Sequence, residues 1–149
     1  MKYALIACSK SKHNLKKVNP ELLYSKSTLN RLSTDYCKKN NIDYYYISAK
    51  FNLLDKKDII DYYDTTLNNF RKQDIIEWSR KTFKEIINTI PKGSDIYILA
   101  GEIYYKYMLD DLNSNYKVTL VFSNLKGIGY IISFLKKSIN NLNKEGELF

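Results

Sequence analysis

Glycine and proline are scarce, at five and two residues in 149. Long flexible linkers and loop-rich scaffolds are excluded on that count, because both need residues that break regular structure. One histidine (His13) and two cysteines (Cys8 and Cys37) make a poor set of metal ligands, and neither cysteine has a ligating neighbour at suitable spacing. No metal and no cofactor are therefore expected, and two unpaired thiols suit a reducing, cytoplasmic setting. No apolar run approaches the roughly 20 residues that span a bilayer, so no membrane association is expected. The N-terminus has one lysine and a short strand-like run without a small-residue cleavage site, which argues against a signal peptide.

Positive charge is what the chain has in excess. Twenty-four Lys and Arg against sixteen Asp and Glu give a formal charge of +8 and a pI near 9.3. That balance suits a polyanion such as nucleic acid. It is equally what a Lys-, Asn-, Ile- and Tyr-rich composition from AT-rich coding DNA would produce, so both readings stand. With 44% hydrophobic residues the chain can bury a real core.

Apolar periodicity divides the chain into alternating strands and helices. Residues 2–8 (KYALIAC) read as a buried strand, followed by a polar loop over 9–20. Residues 25–39 follow a helical pattern, with Leu29, Leu32, Tyr36 and Cys37 as its stripe. A second strand covers 43–48 (DYYYIS), and residues 49–67 lack a period, which predicts a structured loop with short helical turns. The clearest helix spans 72–90 and stops at Pro91-Lys92-Gly93. A strand at 95–100, a helix at 102–112, a strand at 117–122 and a helix opened by Gly127 and Gly129 complete the pattern. This order predicts a three-layer α/β domain over 1–142, with a mainly parallel central sheet of about four to five strands flanked by helices. Residues 143–149 read as a tail.

Parallel sheets place ligand sites beyond the carboxyl ends of their strands. A polar cluster follows each strand here: CSKSK, SAK, AGE and SNLKGIG. These clusters are expected to meet at one site. Ser9, Lys10, Ser11 and Lys12 offer hydroxyls, N–H groups and cations for an anion, although no Walker frame is present. Ser48 and Lys50 could approach a ligand at the second strand. In DYYDTTL, Tyr63 could stack on a base or sugar and Asp64 could direct water or steady positive charge, or Asp64 could simply cap a turn with Thr65 and Thr66. Gly101 leaves room beside Glu102, which is either a carboxylate facing the site or a favourable charge at a helix start. Lys126, Gly127 and Gly129 could hold an anion or let the last helix pack closely.

In order along nearly the whole chain, CSKSK, YSKS, SAKFNLLD, YYDTTL, AGEIYYKYM and LKGIG resemble an uncharacterised bacterial and phage domain family. The sequence departs from that family's pattern at Phe51-Asn52, where an aromatic or histidine followed by glycine is usual. It departs again at Tyr62, where proline often precedes Tyr-Asp. More distantly it is similar to the YaaA peroxide-stress proteins and to a domain of archaeosine tRNA transglycosylases, whose core has been likened to the uracil-DNA glycosylase fold. That resemblance implies a site for a nucleotide, nucleoside or nucleic acid, and a reaction at a base–sugar bond, an N-glycosidase. Asp64, Glu102 and Tyr63 are then the catalytic candidates. Ser9, Lys10, Ser11, Lys12, Ser48, Lys50, Gly101, Lys126, Gly127 and Gly129 are the binding candidates. The alternatives are a non-catalytic DNA-binding stress or phage-defence protein and a nucleotide-binding sensor.

Overall fold

The computed structural model describes the backbone of residues 1–148 and the side-chain environments of residues 1–140. Five strands form one sheet in the order β3-β2-β1-β4-β5. Strands β1 (Lys2–Ala7), β2 (Asp43–Ser48), β4 (Asp95–Leu99) and β5 (Lys117–Leu120) run parallel, and β3 (Asn52–Asp55) pairs antiparallel with β2. β1 sits at the centre. Its residues Tyr3 to Ile6 are buried on both faces, which is why that segment reads as a continuous apolar run rather than an alternating one. The three-layer α/β expectation holds.

The helices divide between the two faces. Against one face, α3 (Lys72–Thr89), α4 (Glu102–Tyr105) and α5 (Leu109–Asn115) frame an apolar core in which Leu5, Ile96 and Ile98 meet Trp78, Ile86 and Leu112. Against the other lie α1 (Pro20–Tyr24), α2 (Thr28–Lys39) and α6 (Ile128–Leu148), where Ala4, Ile6 and Leu99 meet Tyr24, Cys37, Tyr46 and Leu135. α6 continues past Leu142 through the stretch expected to be a tail, of which Phe149 lies outside the described residues.

Three local differences from the sequence pattern have physical causes. First, β3 lies within the segment expected to be a loop. Asn52 pairs with Ser48 across a tight reversal and takes φ +62°, a left-handed conformation that asparagine tolerates and glycine adopts freely. Its Nδ2 donates to Thr82 Oγ1 at 2.9 Å and fastens the hairpin to α3. Second, the helix expected from Ser25 is two. Asn19 caps α1 with Pro20 at its first position, and Ser27 caps α2 by accepting from Asn30 N at 3.2 Å. Third, the 102–112 helix breaks between α4 and α5 around Lys106–Met108.

The face of α2 turned to the sheet is also not the expected one. Its buried residues are Asn30, Ser33, Thr34 and Cys37. Of the stripe read from the sequence, only Cys37 is fully buried. Leu29, Leu32 and Tyr36 are half-buried, and Tyr36 meets Phe134 of α6 with ring centroids 6.3 Å apart.

Candidate functional site

The crossovers leave β1 toward β2 on one side and return to β4 on the other, so the sheet changes winding direction between β1 and β4. At the carboxyl ends of these two strands lies a cleft of about 270 Å³. Leu99, Phe122, Ile128 and Ile131 make most of its wall apolar, Cys8 and Gly101 close the strand ends, and Asn30 and Ser33 reach it from α2. A crevice at that position is where open α/β sheets hold ligands. The larger depression, about 610 Å³ beside α1, α2 and α6, is lined by charges of both signs (Glu21, Arg31, Asp35 and Lys136) and sits away from the strand-end loops, apart from the shared Asn30.

The loop after β1 borders the cleft and is organised by its own lysine. Lys12 Nζ donates to the carbonyls of Ser9 (2.9 Å) and Lys10 (3.2 Å) and stands 4.7 Å from the centroid of the Tyr63 ring. Ser9 Oγ donates to the Ser11 carbonyl at 2.7 Å. The loop carbonyls are thus occupied internally. Among the described residues, nothing accepts from the N–H groups of Ser9, Lys10, Ser11 or Lys12. Successive unpaired N–H groups of this kind attract anions. Lys12 itself is buried, and desolvation pushes its pKa down while the nearby Asp64 and Cys8 push it up. Its role is to shape the loop, whereas Lys10 is exposed on it and Lys50 is exposed on a separate hollow of about 390 Å³ with Lys17, Phe51 and Asp61.

Beneath this loop is a chain of hydroxyls. Tyr24 OH and Tyr63 OH share a 2.5 Å hydrogen bond, and Tyr63 OH and Ser48 Oγ share one of 2.8 Å. Ser48 Oγ also accepts from the N–H groups of Lys50 and Phe51, and its carbonyl accepts from Trp78 Nε1 at 2.9 Å. The expected stacking role of Tyr63 is not what its surroundings allow. Lys12 lies over its ring, Phe51 meets it edge-on at 5.2 Å, and the whole side chain is buried. Ser48 likewise ties β2 to its turn rather than facing open space. The thiol of Cys8 is buried at this junction. Desolvation pushes it up to about 11 despite the opposing influence of the Tyr24, Tyr63 and Ser48 hydroxyls. At neutral pH it is a protonated thiol, a poor nucleophile.

A second, very small polar hollow shares Cys8, Ser9 and Tyr104 with the cleft and adds Lys10, Lys12, Tyr63 and Thr65. Tyr104 OH donates to the Cys8 carbonyl at 3.3 Å, its ring packs edge-on against Trp78, and burial pushes its pKa up to about 12. The carboxylates flank these openings without lining either. Asp64 is exposed and accepts from Tyr62 OH at 3.1 Å. Glu102 is the exposed first residue of α4, next to Gly101 in the cleft.

The residues following β5 are only partly gathered in. Gly127 reaches the cleft and needs its glycine, since its φ is +91°. Gly129 lies in the first turn of α6 and is not among the residues lining the cleft. Lys126 belongs to a separate hollow of about 200 Å³ with Leu125 and Tyr130. The sequence pattern missed Tyr24, Asn30, Ser33 and Tyr104. The signal for two of them was a polar residue every third or fourth position in α2, on what proves to be its buried face.

Among the described residues no helix is long and apolar enough to cross a membrane, and no three His, Cys, Asp or Glu side chains cluster as a metal site would require. Neither the curated proteins nor the solved structures yield a significant match to the chain. A family model does match over residues 3–137, nearly the whole α/β domain, and the chain belongs to that family, DUF6884, a family of unknown function.

Proposed function

We propose that the chain binds a nucleotide, free or within a nucleic acid, and cleaves or exchanges its base–sugar bond. One observation carries the reading: an apolar cleft and an anion-ready loop adjoin through Cys8, Ser9 and Tyr104. A flat ring joined to a phosphate has that same division of apolar and anionic parts. The cleft, at about 270 Å³, is smaller than the roughly 300–1,000 Å³ usual for drug-sized ligands, so it suits a single ring system. The phosphate would meet the N–H groups of Ser9 to Lys12 and the Lys10 and Lys50 ammonium groups. The sugar would then lie at the seam between the openings, flanked by Asp64 and Glu102.

Breaking a base–sugar bond builds positive charge on the sugar and negative charge on the base, by the same oxocarbenium logic as glycoside hydrolysis. One of the two carboxylates would steady that sugar and direct water. The likeness to the YaaA proteins and the uracil-DNA glycosylase core belongs to this same reading. Base release from nucleoside monophosphates, DNA and RNA tests it, with Asp64→Asn and Glu102→Gln beside the unmodified protein. Release that falls at least about a hundredfold in one variant is expected. No release from any substrate, or full activity in both variants, removes the enzyme assignment.

The excess of positive charge favours a second reading, in which the same site holds a nucleotide or nucleic acid without chemistry, as in a stress or phage-defence protein or a sensor. DNA affinity that drops steeply between low and moderate salt, with no base released, would mark it.

A further inference from the structure

Asn30 occupies an unusual position for an amide. It is buried, with 3% of its surface exposed, yet only half of its side chain is satisfied. Nδ2 donates to the Ala7 carbonyl at 3.0 Å, which settles the orientation of the amide, since only the nitrogen can donate to a carbonyl. Oδ1 accepts from no group among the described residues. Nor is it sealed in: among the described residues, the buried side-chain atoms that are both occluded and partnerless are Ser79 Oγ and Glu85 Oε2. The Asn30 acceptor is therefore not fully occluded. Asn30 also borders the polar depression behind α2, but its amide is held against Ala7, which lines the strand-end cleft and not that depression. Ser33, three residues along the same helix face, is buried and lines the same cleft.

The cleft thus combines apolar walls with a buried amide whose nitrogen is fixed and whose acceptor is unpaired, and with a serine on the same helix face. Such a group left empty disfavours any ligand that cannot supply a donor, because the ligand's binding would strip water from it without replacement. We infer that Asn30 is a specificity residue that selects a base carrying an exocyclic amino group, adenine or cytosine in preference to hypoxanthine or uracil. The inference rests on the nucleotide reading above and adds which edge of the ring is read. An amino group points two N–H donors outward from the ring, one for Oδ1. In uracil and hypoxanthine that position is a carbonyl oxygen, which sets a lone pair against the Asn30 acceptor. Asparagine reads adenine by a comparable amide pairing in nucleic-acid recognition.

Two ligand pairs that differ at this position test the inference on the unmodified chain: adenosine against inosine monophosphate, and cytidine against uridine monophosphate. Equilibrium binding is expected to be about tenfold tighter for the amino member of each pair that binds, a preference lost in Asn30→Ala while Ser33→Ala changes it less. Equal affinities within both pairs overturn the inference and leave nucleotide binding standing. A preference that survives in Asn30→Ala also overturns it, since another group must then read the base. No binding of any of the four monophosphates, in a protein that melts cooperatively, overturns this inference and the nucleotide reading together.

Discussion

The two faces of the sheet are built on different chemistry. Against α3, α4 and α5 the core is mainly apolar, with Leu5, Ile86, Ile96 and Ile98 essentially sealed, tryptophan and tyrosine rings at the margins, and its few buried polar side chains, such as Ser79 and Thr82, on α3. Against α1, α2 and α6 the same sheet meets tyrosine hydroxyls, two free cysteines, an amide and an open cleft. Tyr24, Tyr46, Tyr63, Thr34 and Ser48 pair their hydroxyls there, as buried polar groups must. The contrast points to a division of labour: one face supplies stability through apolar packing, and the other holds paired polar groups beside the strand ends.

The largest test of that division is on the apolar face. Ile86 is fully buried, and Ile86→Ala should cost about 2–5 kcal/mol in chemical denaturation, by transfer and cavity terms together. Affinity of the folded fraction for a nucleotide should not change. A loss below about 0.5 kcal/mol would show that this face does not carry the stability assigned to it.

The next test concerns alkali, which should attack the site face first. The Cys8 thiol titrates near 11 in the folded chain against 9.0 for the ordinary group. The unfolded chain therefore releases that proton first. The contribution is complete below pH 9 and is lost as pH rises toward 11, a fall on the order of 2–3 kcal/mol. Melting temperature against pH should drop more shallowly over this window in Cys8→Ala than in the unmodified chain. Parallel curves would sink the assignment.

The smallest effect is the sharpest probe of the hydroxyl chain. Tyr24→Phe removes one partner from Tyr63 but leaves Ser48, so a loss of about 1 kcal/mol is expected. A loss several times larger would mean that the chain acts as a single cooperative network rather than as separate bonds.

Much of this was legible in the sequence, and the missing parts share a reason. The buried run of β1, the long stripe of α3 and the polar cluster after each strand are local signals, each readable from a few residues. β3 escaped because four residues that begin with a positive-φ asparagine carry no period of their own, and pairing with β2 is what makes them a strand. The site residues divide in the same way. Ser9, Lys10 and Gly101 were legible from position alone. The sequence could not separate Lys12, which folds its own loop, from Lys50, which is exposed, because both are lysines a few residues past a strand.

Composition and periodicity by themselves therefore determined the layered α/β order and the rim where the loops gather, because hydrophobic burial follows a repeat that is written locally. Only the tertiary structure decided which polar groups are spent on one another and which remain open. Ser48 and Tyr63 find partners far along the chain, Lys12 turns back on its own loop, Asn30 finds one partner for its nitrogen and, among the described residues, none for its oxygen, and hydrogen-bond satisfaction is a property of three-dimensional neighbours that no spacing along a chain records.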